Sequence, residues 1–329
     1  MDSNLYKDTD HIRALMNRCG EKRSPFLFIL NFELTEGYFV ENPLGQDHIL
    51  FRMRGYGNDT DILTSDAGQD KIDMFPLSAD EYKRRFNVVR NGLYSGNSFL
   101  ANLTVKTEID ISLSLREIFQ RSKAPYSLYV PERFVCFSPE RFVKIENREI
   151  STNPMKGTID ASIPEAEQLI LSDFKEKAEH NTIVDLLRND LSLSATNVHV
   201  SRSRYIEKIK GGNKEILQVS SEIKGTLPSG YREYLGDIIF KMLPAGSISG
   251  APKASTVRLI QEAEKESRGY YTGIAGYFDG NVLDSAVLIR FVEEDGEKMY
   301  FRSGGGITAY SNWEEEYKEV LNKIYLPFI

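Results

Sequence analysis

The sequence predicts an α+β fold with antiparallel sheets, and the order of its segments supports this class. Residues 127–153 form a run of short strands broken by turn-forming residues, and residues 270–277 and 282–292 form a hairpin about Asp279-Gly280-Asn281. The predicted turns of the first run are Pro131-Glu132, Ser138-Pro139 and Asn147-Arg148. The long helical segments interrupt these hairpins and do not alternate with single strands, which argues against a doubly wound fold.

The remaining elements follow in chain order. The predicted strands of the first part are residues 26–32, 48–52 and 98–106, with a helix at 79–94. Residues 174–187 carry apolar side chains at helical spacing. After them we expect strands within 198–224, broken at Gly211-Gly212, and a helix at 234–242.

The last part of the chain begins with a glycine-bearing loop at 244–250. It leads into a helix with Pro252 near its first position, which ends by Gly269. A strand at 299–302 precedes Gly304-Gly305-Gly306, which we expect to end the sheet. The final helix spans 312–324, with Ser311 and Glu314 as a capping box.

Composition narrows the possible functions. The chain has 329 residues, with 41 Lys and Arg against 48 Asp and Glu, a net charge of -7, so we expect no nucleic-acid partner. Cys19 and Cys136 lack metal-ligand spacing and suit a reducing compartment. The N-terminus is polar and acidic, and no apolar run reaches the ~18 residues that a membrane span needs. We expect a cytoplasmic protein without membrane contact.

Two predicted helices carry carboxylates on faces with apolar residues. Glu179 shares a face with Ile183 and Leu187, so it either points inward, where it needs a cation, or lies at the edge in water. On the final helix the residues that share a face are Glu316, Glu319, Val320 and Lys323. That face is either a solvated stripe or, opposite Glu179, half of a Mg²⁺ site.

Two glycine-bearing segments are candidate anion sites. Small residues at 245–253 precede a helix, where backbone N–H groups and the helix N-terminus favour negative charge. Neither a P-loop nor a dinucleotide fingerprint is present. A purely structural turn is the alternative for this segment and equally for Gly304-Gly305-Gly306.

Three single charged residues are further candidates. Arg290, in an apolar strand, either points out of the sheet or binds a carboxylate. Glu140, at a strand turn, is either a surface acid or a general acid. Lys156, between a Pro-Met pair and a glycine, is a candidate nucleophile or cation. A nucleophilic amine must be neutral, so we expect burial or a nearby cation to lower its pKa. The alternative is a lysine that only pairs with Glu140 or with a ligand carboxylate.

The order of these motifs resembles the chorismate-using enzymes, which include anthranilate, aminodeoxychorismate, isochorismate and salicylate synthases. The resembling segments are SPERF at 138–142, NPMKGT at 153–158, AEHNTIVDLLRNDLS at 178–192, PAGSISGAPK at 244–253, RGYYTGIAGY at 268–277 and FRSGGGITAYSNWEEEYKEVLNK at 301–323. The resemblance implies two large antiparallel sheets packed together, with peripheral helices. It also implies a single domain over 1–329, with the catalytic motifs in about 125–329 and a shortened N-terminal part before them.

The resemblance further implies a site for chorismate. Glu140 matches the general acid, and Lys156 matches a nucleophile. Glu179 and Glu319, with Glu316 beside them, match Mg²⁺ ligands. The residues implied to bind substrate are Thr158, Gly246, Ser247, Gly250, Ala251, Arg290, Gly305, Gly306 and Lys323.

Particular positions suggest which member of the family the chain is similar to. Lys156 lies in the segment P-M-K-G-T. At this motif the anthranilate synthases are similar to P-I-A-G-T, whereas aminodeoxychorismate synthases commonly have P-I-K-G-T. Leu100 replaces a glutamine of the family. The resemblance implies that this position corresponds to the water-activating lysine of the water-using members, so a leucine argues against water as the nucleophile. Gln218 replaces a histidine, which puts a role for imidazole there in doubt. No tryptophan-binding motif is evident.

The resemblance therefore implies aminodeoxychorismate synthase component I chemistry. Such an enzyme converts chorismate and ammonia to 4-amino-4-deoxychorismate, a precursor of 4-aminobenzoate and folate, with ammonia from a separate glutamine amidotransferase subunit. Anthranilate synthase component I is one alternative. A non-catalytic chorismate-binding subunit that docks to an amidotransferase is an alternative of another class.

Overall fold

The structure, a computed structural model, describes residues 5–59, 61–62, 72–211 and 214–328. Its strands in chain order are β1 (Tyr6–Lys7), β2 (Phe26–Leu30), β3 (Gly37–Glu41), β4 (Leu50–Met53), β5 (Tyr56–Gly57), β6 (Asp73–Phe75), β7 (Leu100–Asp110), β8 (Tyr126–Val130), β9 (Phe134–Ser138), β10 (Arg141–Glu146), β11 (Glu149–Thr152), β12 (Met155–Asp160), β13 (Thr196–Gly211), β14 (Lys214–Thr226), β15 (Gly250–Ala251), β16 (Ile274–Phe278), β17 (Leu283–Val287), β18 (Phe291–Asp295) and β19 (Lys298–Ile307). Its α-helices are α1 (Thr9–Lys22), α2 (Ala79–Tyr94), α3 (Leu115–Arg121), α4 (Ala166–Ser172), α5 (Phe174–Ser192), α6 (Leu235–Lys241), α7 (Gly246–Ser249), α8 (Lys253–Glu264) and α9 (Trp313–Asn322).

The strands form two antiparallel sheets. The first has the order β1-β3-β2-β16-β17-β10-β11-β14-β12, with β13 also paired to β14. The second has the order β15-β7-β19-β18-β9-β8-β4-β5, with β6 also paired to β7. The predicted α+β class with two large antiparallel sheets is confirmed. None of the helices in the described ranges is both long and apolar enough to cross a membrane.

An aromatic core lies between the two sheets. Phe134 and Phe291 of the second sheet stack with ring centroids 4.7 Å apart, and Tyr270 stacks on Phe134 at 5.1 Å. Leu27 and Ile29 of β2, which are fully buried, pack into the same cluster from the first sheet. Burial of these large apolar side chains between the sheets stabilises their face-to-face packing.

The predicted strand run at 127–153 is divided between the sheets. β8 and β9 belong to the second sheet, β10 and β11 to the first, and the chain crosses at Pro139-Glu140. The predicted strand at 282–292 divides in the same way into β17 and β18. Arg290, with φ 56°, lies at this second crossing. The left-handed backbone there breaks the strand, which periodicity alone did not reveal.

The two crossings are hydrogen-bonded to each other. The Phe137 amide donates to the Arg290 carbonyl at 2.9 Å, and the Val287 amide donates to the Glu140 carbonyl at 3.2 Å. The sites of Glu140 and Arg290 are therefore fixed by the same backbone junction, where the chain twice leaves one sheet for the other.

Three other sequence predictions were wrong. Gly304-Gly305-Gly306 does not end the sheet, because these residues lie within β19 and pair with β7. The segment at 244–250 is not an open loop, since it contains α7. The capping box is absent: Asn312 caps α9, accepting from the Glu314 and Glu315 amides, while the Ser311 hydroxyl accepts from Thr308. The predicted break at Gly211-Gly212 lies partly outside the described residues.

Candidate active site

A cavity of about 190 Å³ lies where the two crossings meet β7, β12, β14, β19 and α7. It brings together many of the predicted site residues from distant parts of the chain. Those that line it are Glu140, Lys156, Ser247, Gly250, Arg290, Gly305, Gly306 and Lys323. A larger cavity of about 580 Å³ lies beside α1 and β3. Volume alone therefore does not identify this site, but the convergence of charged groups does.

Some predicted residues do not line this cavity. Gly246 is buried behind it, and Ala251 lies next to the lining Gly250. Thr158 is exposed and does not reach the cavity, so the structure gives no support to its predicted substrate contact. The reason is an irregularity in β12, whose register with β14 shifts between Met155 and Thr158. The shift turns Thr158 outward on a strand whose Lys156 faces the cavity.

Gly157 makes this irregularity possible. Its φ is +82°, a conformation that residues with a Cβ rarely adopt. A Cβ at Gly157 would also lie 3.0 Å from Oε2 of Glu176. The glycine that follows Lys156 therefore has a specific role, which is to let the strand bend where the lysine enters the cavity.

Lys156 forms an ion pair with Glu179 of α5. The distance from its Nζ to Glu179 Oε2 is 2.8 Å. Burial lowers the pKa of the Lys156 ammonium, but the negative charges of Glu179, Glu319 and Glu176 outweigh it, so the pKa is raised overall. The expected lowering is thus wrong for the protein without ligands, because the carboxylates stabilise the charged amine. Its partner is Glu179 and not the Glu140 of the alternative considered above.

Glu140 lies in the same cavity, and desolvation has the largest effect on its pKa. Desolvation raises the pKa of its carboxyl group, and the Ser247 hydroxyl, Arg290, Lys156 and Lys323 only partly offset this effect. Ser247 Oγ donates a hydrogen bond to Glu140 Oε1 at 2.6 Å. A carboxyl group with a raised pKa holds a proton that it can donate, which is the property required of a general acid.

Arg290 and Lys323 add positive charge to the cavity. Lys323 Nζ donates to the Gly304 carbonyl at 2.8 Å and lies 2.7 Å from Glu319 Oε1. Burial lowers the pKa of Lys323, and the neighbouring cations Arg290 and Lys156 act in the same direction. Two cations that line one cavity and are partly removed from water favour a ligand that carries negative charge.

The glycines of β19 allow charged side chains to approach its backbone from both faces. A Cβ at Gly306 would lie 3.9 Å from Lys156 Nζ. A Cβ at Gly305 would lie 3.4 Å from Glu316 Oε2 and 3.8 Å from Glu319 Oε1. Larger residues here would occupy the space in which these charges meet.

The acidic residues have the chemistry for a single Mg²⁺ ion, but they are not preassembled. No group of three or more His, Cys, Asp or Glu side chains in metal-binding proximity occurs within the described ranges. Glu179 is paired with Lys156, and Glu319 with Lys323. Both carboxylates raise the pKa of Lys156. Because Mg²⁺ usually takes one or two carboxylates and completes its shell with water and ligand oxygens, this pair fits.

α5 also positions α7, an arrangement that the sequence did not predict. Asp190 Oδ1 lies 2.6 Å from Lys253 Nζ, and its Oδ2 accepts the Gly246 amide at 3.1 Å. A Cβ at Gly246 would lie 2.8 Å from that Oδ2. Gly246 is therefore a close-packing point between helices. The helix that carries Glu179 thus fixes the segment that carries Ser247.

Several lining residues were not among the predicted site residues. Leu100 and Asn102 lie on the same face of β7, and Gln218 lies on β14. The two-residue period of a strand could have identified Asn102, because Leu100 was already a position of interest. Tyr271 and Thr272 lie within the predicted strand at 270–277, but β16 begins only at Ile274, so strand periodicity did not indicate which way their side chains point.

Comparisons with known proteins identify the family of the chain. Residues 59–327 match the family described as chorismate binding enzyme. The uncharacterised PabA-like protein of Pasteurella multocida (strain Pm70) is 49% identical over 314 residues, which cover 94% of this chain and 96% of that protein. Anthranilate synthase component 1 of Archaeoglobus fulgidus is 32% identical, covering 94% and 77%. Aminodeoxychorismate synthase component 1 of Salmonella typhimurium is 31% identical, covering 74% and 56%.

Solved structures show the same architecture. Anthranilate synthase component I from Streptococcus pneumoniae superposes with a TM-score of 0.65 and 27% identity, covering 77% of this chain and 58% of that one. MenF, the menaquinone-specific isochorismate synthase from Escherichia coli, gives a TM-score of 0.73 with 15% identity, covering 95% and 80%. At that identity the second likeness shows the fold alone.

Proposed function

Because the chain belongs to the chorismate-binding enzymes, we propose that it transfers nitrogen from ammonia to chorismate and forms 4-amino-4-deoxychorismate. The observation that carries this proposal is that the Lys156 amine and the carboxyl group of Glu140 line the same cavity. An amine and a carboxyl group of raised pKa in one cavity suit a substitution in which a nucleophile adds as a hydroxyl group leaves.

Glu140 acts as the general acid of this reaction. Its raised pKa keeps a proton available, and the hydrogen bond from Ser247 to Oε1 leaves Oε2 to carry it. Donation of this proton to the C4 hydroxyl lets the group leave as water. Arg290 and Lys323 hold carboxylates of the dianionic substrate, which keeps the ring in position.

Lys156 acts as the first nucleophile. Its amine adds to C2 as the ring double bonds shift and the C4 hydroxyl departs, and ammonia then adds at C4 and expels the lysine. Lys156 must lose a proton before it adds. Burial favours its neutral form and Glu179 favours its charged form, so the amine is available when Glu179 is no longer its partner.

A Mg²⁺ ion fits the acidic side of this site. Glu179 and Glu319 would hold it, with Glu316 nearby, and the ion would supply positive charge for a substrate carboxylate. The lysines that now neutralise these carboxylates would then be free for substrate.

Leu100 supports ammonia over water as the attacking group. It lines the same cavity as Lys156, with its Cδ1 3.3 Å from the position of a Cβ at Gly306. Its apolar side chain cannot take a proton from water, which a hydrolytic attack would require. We further propose that a separate glutamine amidotransferase subunit supplies the ammonia, as the family resemblance implies.

Product analysis tests this function. The protein is incubated with chorismate, ammonium chloride and Mg²⁺, with and without a lyase that converts aminodeoxychorismate to 4-aminobenzoate. We expect a non-aromatic amino product that gives 4-aminobenzoate only when the lyase is added. Release of chorismate unchanged, despite Mg²⁺-dependent binding, would favour the non-catalytic alternative.

Anthranilate synthase activity is the second candidate. It is favoured by the Archaeoglobus fulgidus relative, which matches 94% of this chain, against 74% for the Salmonella aminodeoxychorismate synthase. Lys156 argues against this activity, because anthranilate synthases have an alanine at that motif position. Anthranilate fluorescence that appears without added lyase would decide for this candidate.

A further inference from the structure

Two residues of the motifs SPERF and NPMKGT have no place in the proposed reaction. Arg141 belongs to the first motif and directly follows Glu140. Asn153 opens the second motif, three residues before Lys156. The Arg141 guanidinium donates a hydrogen bond from Nη1 to Asn153 Oδ1 at 2.9 Å. This Arg141–Asn153 hydrogen bond joins the segment that carries the proposed acid to the segment that carries the proposed nucleophile.

The hydrogen bond lies beyond the end of a strand ladder. The pairing of β10 with β11 ends at Lys144 and Ser151. One step further, Thr152 Oγ1 donates to the Phe142 carbonyl at 2.7 Å, and the Arg141–Asn153 hydrogen bond follows. Side-chain hydrogen bonds therefore continue the connection between the two segments from the ladder towards the cavity.

Arg141 is itself held in one orientation. Its Nε and Nη2 donate to the two carboxylate oxygens of Asp284, each at 3.0 Å, and both side chains of this ion pair are mostly buried. The Tyr126 hydroxyl donates to Asp284 Oδ1 at 2.8 Å and accepts from Arg141 Nε at 3.0 Å. A two-pronged contact with a carboxylate fixes the plane of the guanidinium, so Nη1 is aimed at Asn153.

The Arg141–Asn153 hydrogen bond lies one residue from the cavity in each segment. Glu140 precedes Arg141 and lines the cavity, and Pro154 follows Asn153 and lines it as well. Arg141 and Asn153 are not among the residues that line the cavity. A change in their contact would thus reach the cavity through a single peptide unit in each segment.

Asn153 also lies just before the irregular part of β12. The ring of Pro154 restricts its φ, and its carbonyl accepts the Ser221 amide at 3.0 Å. The pairing with β14 keeps one register from β11 to Met155 and shifts directly after it, where Lys156 lies. The regularly paired part of this segment therefore ends immediately before the amine, and the position of Asn153 determines where the irregular part begins.

We propose that Arg141, through Asn153, sets the position of the Lys156 amine relative to the Glu140 carboxyl group. This inference rests on the proposed function, in which the amine and the acid act on the same substrate ring. Arg141 and Asn153 are positioning residues, because they neither line the cavity nor transfer a proton. A displacement of about 1 Å between reacting groups can lower a rate by ~100-fold.

Steady-state kinetics of the full chain with chorismate and saturating ammonium chloride test this role. Asn153→Leu removes the acceptor of the hydrogen bond at nearly constant side-chain volume. It should lower kcat by at least ~10-fold, whereas KM for chorismate should stay within about threefold because Arg290 and Lys323 remain. Asn91→Leu, on an exposed position of α2, is the matched control and should change neither constant.

Two further variants separate positioning from a merely structural role. Asn153→Asp keeps an oxygen that can accept from Arg141, so it should restore kcat to within about threefold of the wild type. Arg141→Lys keeps the charge but loses the forked geometry, and it should lower kcat as Asn153→Leu does. The double variant of Arg141→Lys and Asn153→Leu should be no slower than the slower single variant, because both changes remove the same contact.

Thermal melting accompanies the kinetics of every variant, and Asn153→Ala replaces the leucine variant if that protein does not fold. A kcat of Asn153→Leu within twofold of the wild type would overturn the positioning role. So would an aspartate variant as slow as the leucine variant, or rate losses that multiply in the double variant. Each of these results leaves the proposed function intact. Failure of the wild-type protein to make an amino product from ammonium would overturn the proposed function, and the positioning role with it.

Discussion

Two ion pairs of similar length have opposite environments in this protein. Arg268 and Glu264 lie 2.7 Å apart with both side chains 1% exposed, whereas Lys156 and Glu179 lie 2.8 Å apart with 29% and 15% exposure. The first pair lies in a packed region between α8 and β7. The second lies at the cavity where the chain crosses between sheets.

The two pairs differ in their hydrogen bonding, and this difference distinguishes an ion pair that stabilises the fold from one that can react. Arg268 donates to both oxygens of Glu264 and to the carbonyl groups of Ile248 and Asn102, and Glu264 Oε1 also accepts the Thr104 amide. Such saturation compensates for the desolvation of both charges. Lys156 has Glu179 as its single ion-pair partner in the described residues, and other donor sites of its ammonium remain for a ligand. The Arg268–Glu264 pair, with its hydrogen bonds satisfied, connects backbone segments of the fold. The Lys156–Glu179 pair keeps donor sites that are available for reaction.

Replacement of the reactive lysine is the strongest test of this contrast. Lys156→Ala should reduce formation of the amino product by at least about a thousandfold, because no other amine can take its place as nucleophile. Its melting temperature should stay close to that of the wild type. Lys318→Ala, an exposed lysine on α9, is the control. Normal turnover by the Lys156 variant would exclude covalent catalysis.

Disruption of the saturated pair should affect folding instead. Arg268→Met should lower the free energy of unfolding by about 3–5 kcal/mol, because it leaves Glu264 buried without its cation. The double variant Arg268→Met with Glu264→Met should recover part of that loss. Urea denaturation of the wild type and both variants measures the difference. Equal stability of all three proteins would show that the pair is not structural.

His180 lies between these two cases, since it is buried like the Arg268 pair but is only partly hydrogen-bonded, like Lys156. It follows Glu179 in the chain. Its Nε2 lies 2.7 Å from Ser221 Oγ, and Nδ1 lacks a partner among the described residues. Desolvation, with Arg204 and Lys156, lowers the pKa of His180 from 6.5 to about 4. The unfolded chain therefore binds a proton that the folded chain excludes, so stability falls as pH drops from 6.5 towards 4.

This acid sensitivity should amount to about 3 kcal/mol at most, the free energy of the His180 pKa shift. His180→Gln keeps a partner for Ser221 and should remove this contribution. The stability difference between wild type and variant, followed by urea denaturation from pH 7 to pH 4, should change by that amount. A difference that is independent of pH would contradict a neutral buried His180.

The general acid should be less critical than the nucleophile. Glu140→Gln still accepts the hydrogen bond from Ser247 but carries no transferable proton, and the rate should fall by ~100-fold, or about 2.7 kcal/mol. The variant should also gain stability relative to the wild type as pH rises. Because burial raises the Glu140 pKa, ionisation of this group destabilises the folded protein. An unchanged rate would remove Glu140 from the mechanism.

The smallest expected effect is on metal binding. Glu179→Gln and Glu319→Gln should each weaken Mg²⁺ binding by ~10-fold, or about 1.4 kcal/mol, since each removes one negative ligand. Isothermal titration with Mg²⁺ in the presence of chorismate measures it. Glu207→Gln, on β13 away from the cavity, serves as control. Wild-type titration curves in both site variants would exclude these ligands.

The comparison also explains which features could be predicted from sequence. Glu140, Lys156 and Arg290 stood out because a charge in an apolar or turn context is unusual at short range. Arg268 and Glu264 did not stand out. Glu264 is the last residue of α8 and Arg268 follows four residues later, a spacing that is common for exposed ion pairs, and their burial results from contacts with β7 and α7.

The same limit applies to backbone geometry. The strands at 127–153 were predicted nearly where they occur, but their division between two sheets was not, because strand periodicity carries no information about which sheet a strand joins. The crossings at Glu140 and Arg290 depend on hydrogen bonds between segments about 150 residues apart in the chain.

The sequence by itself determined the antiparallel α+β class, the family resemblance and most of the charged residues of the cavity, because short-range patterns and motif order carry that information. The tertiary structure alone decided the raised pKa of Lys156 and the outward position of Thr158. Each of these depends on desolvation, partners or register supplied by distant segments, and the free energy of a polar group is set by that environment.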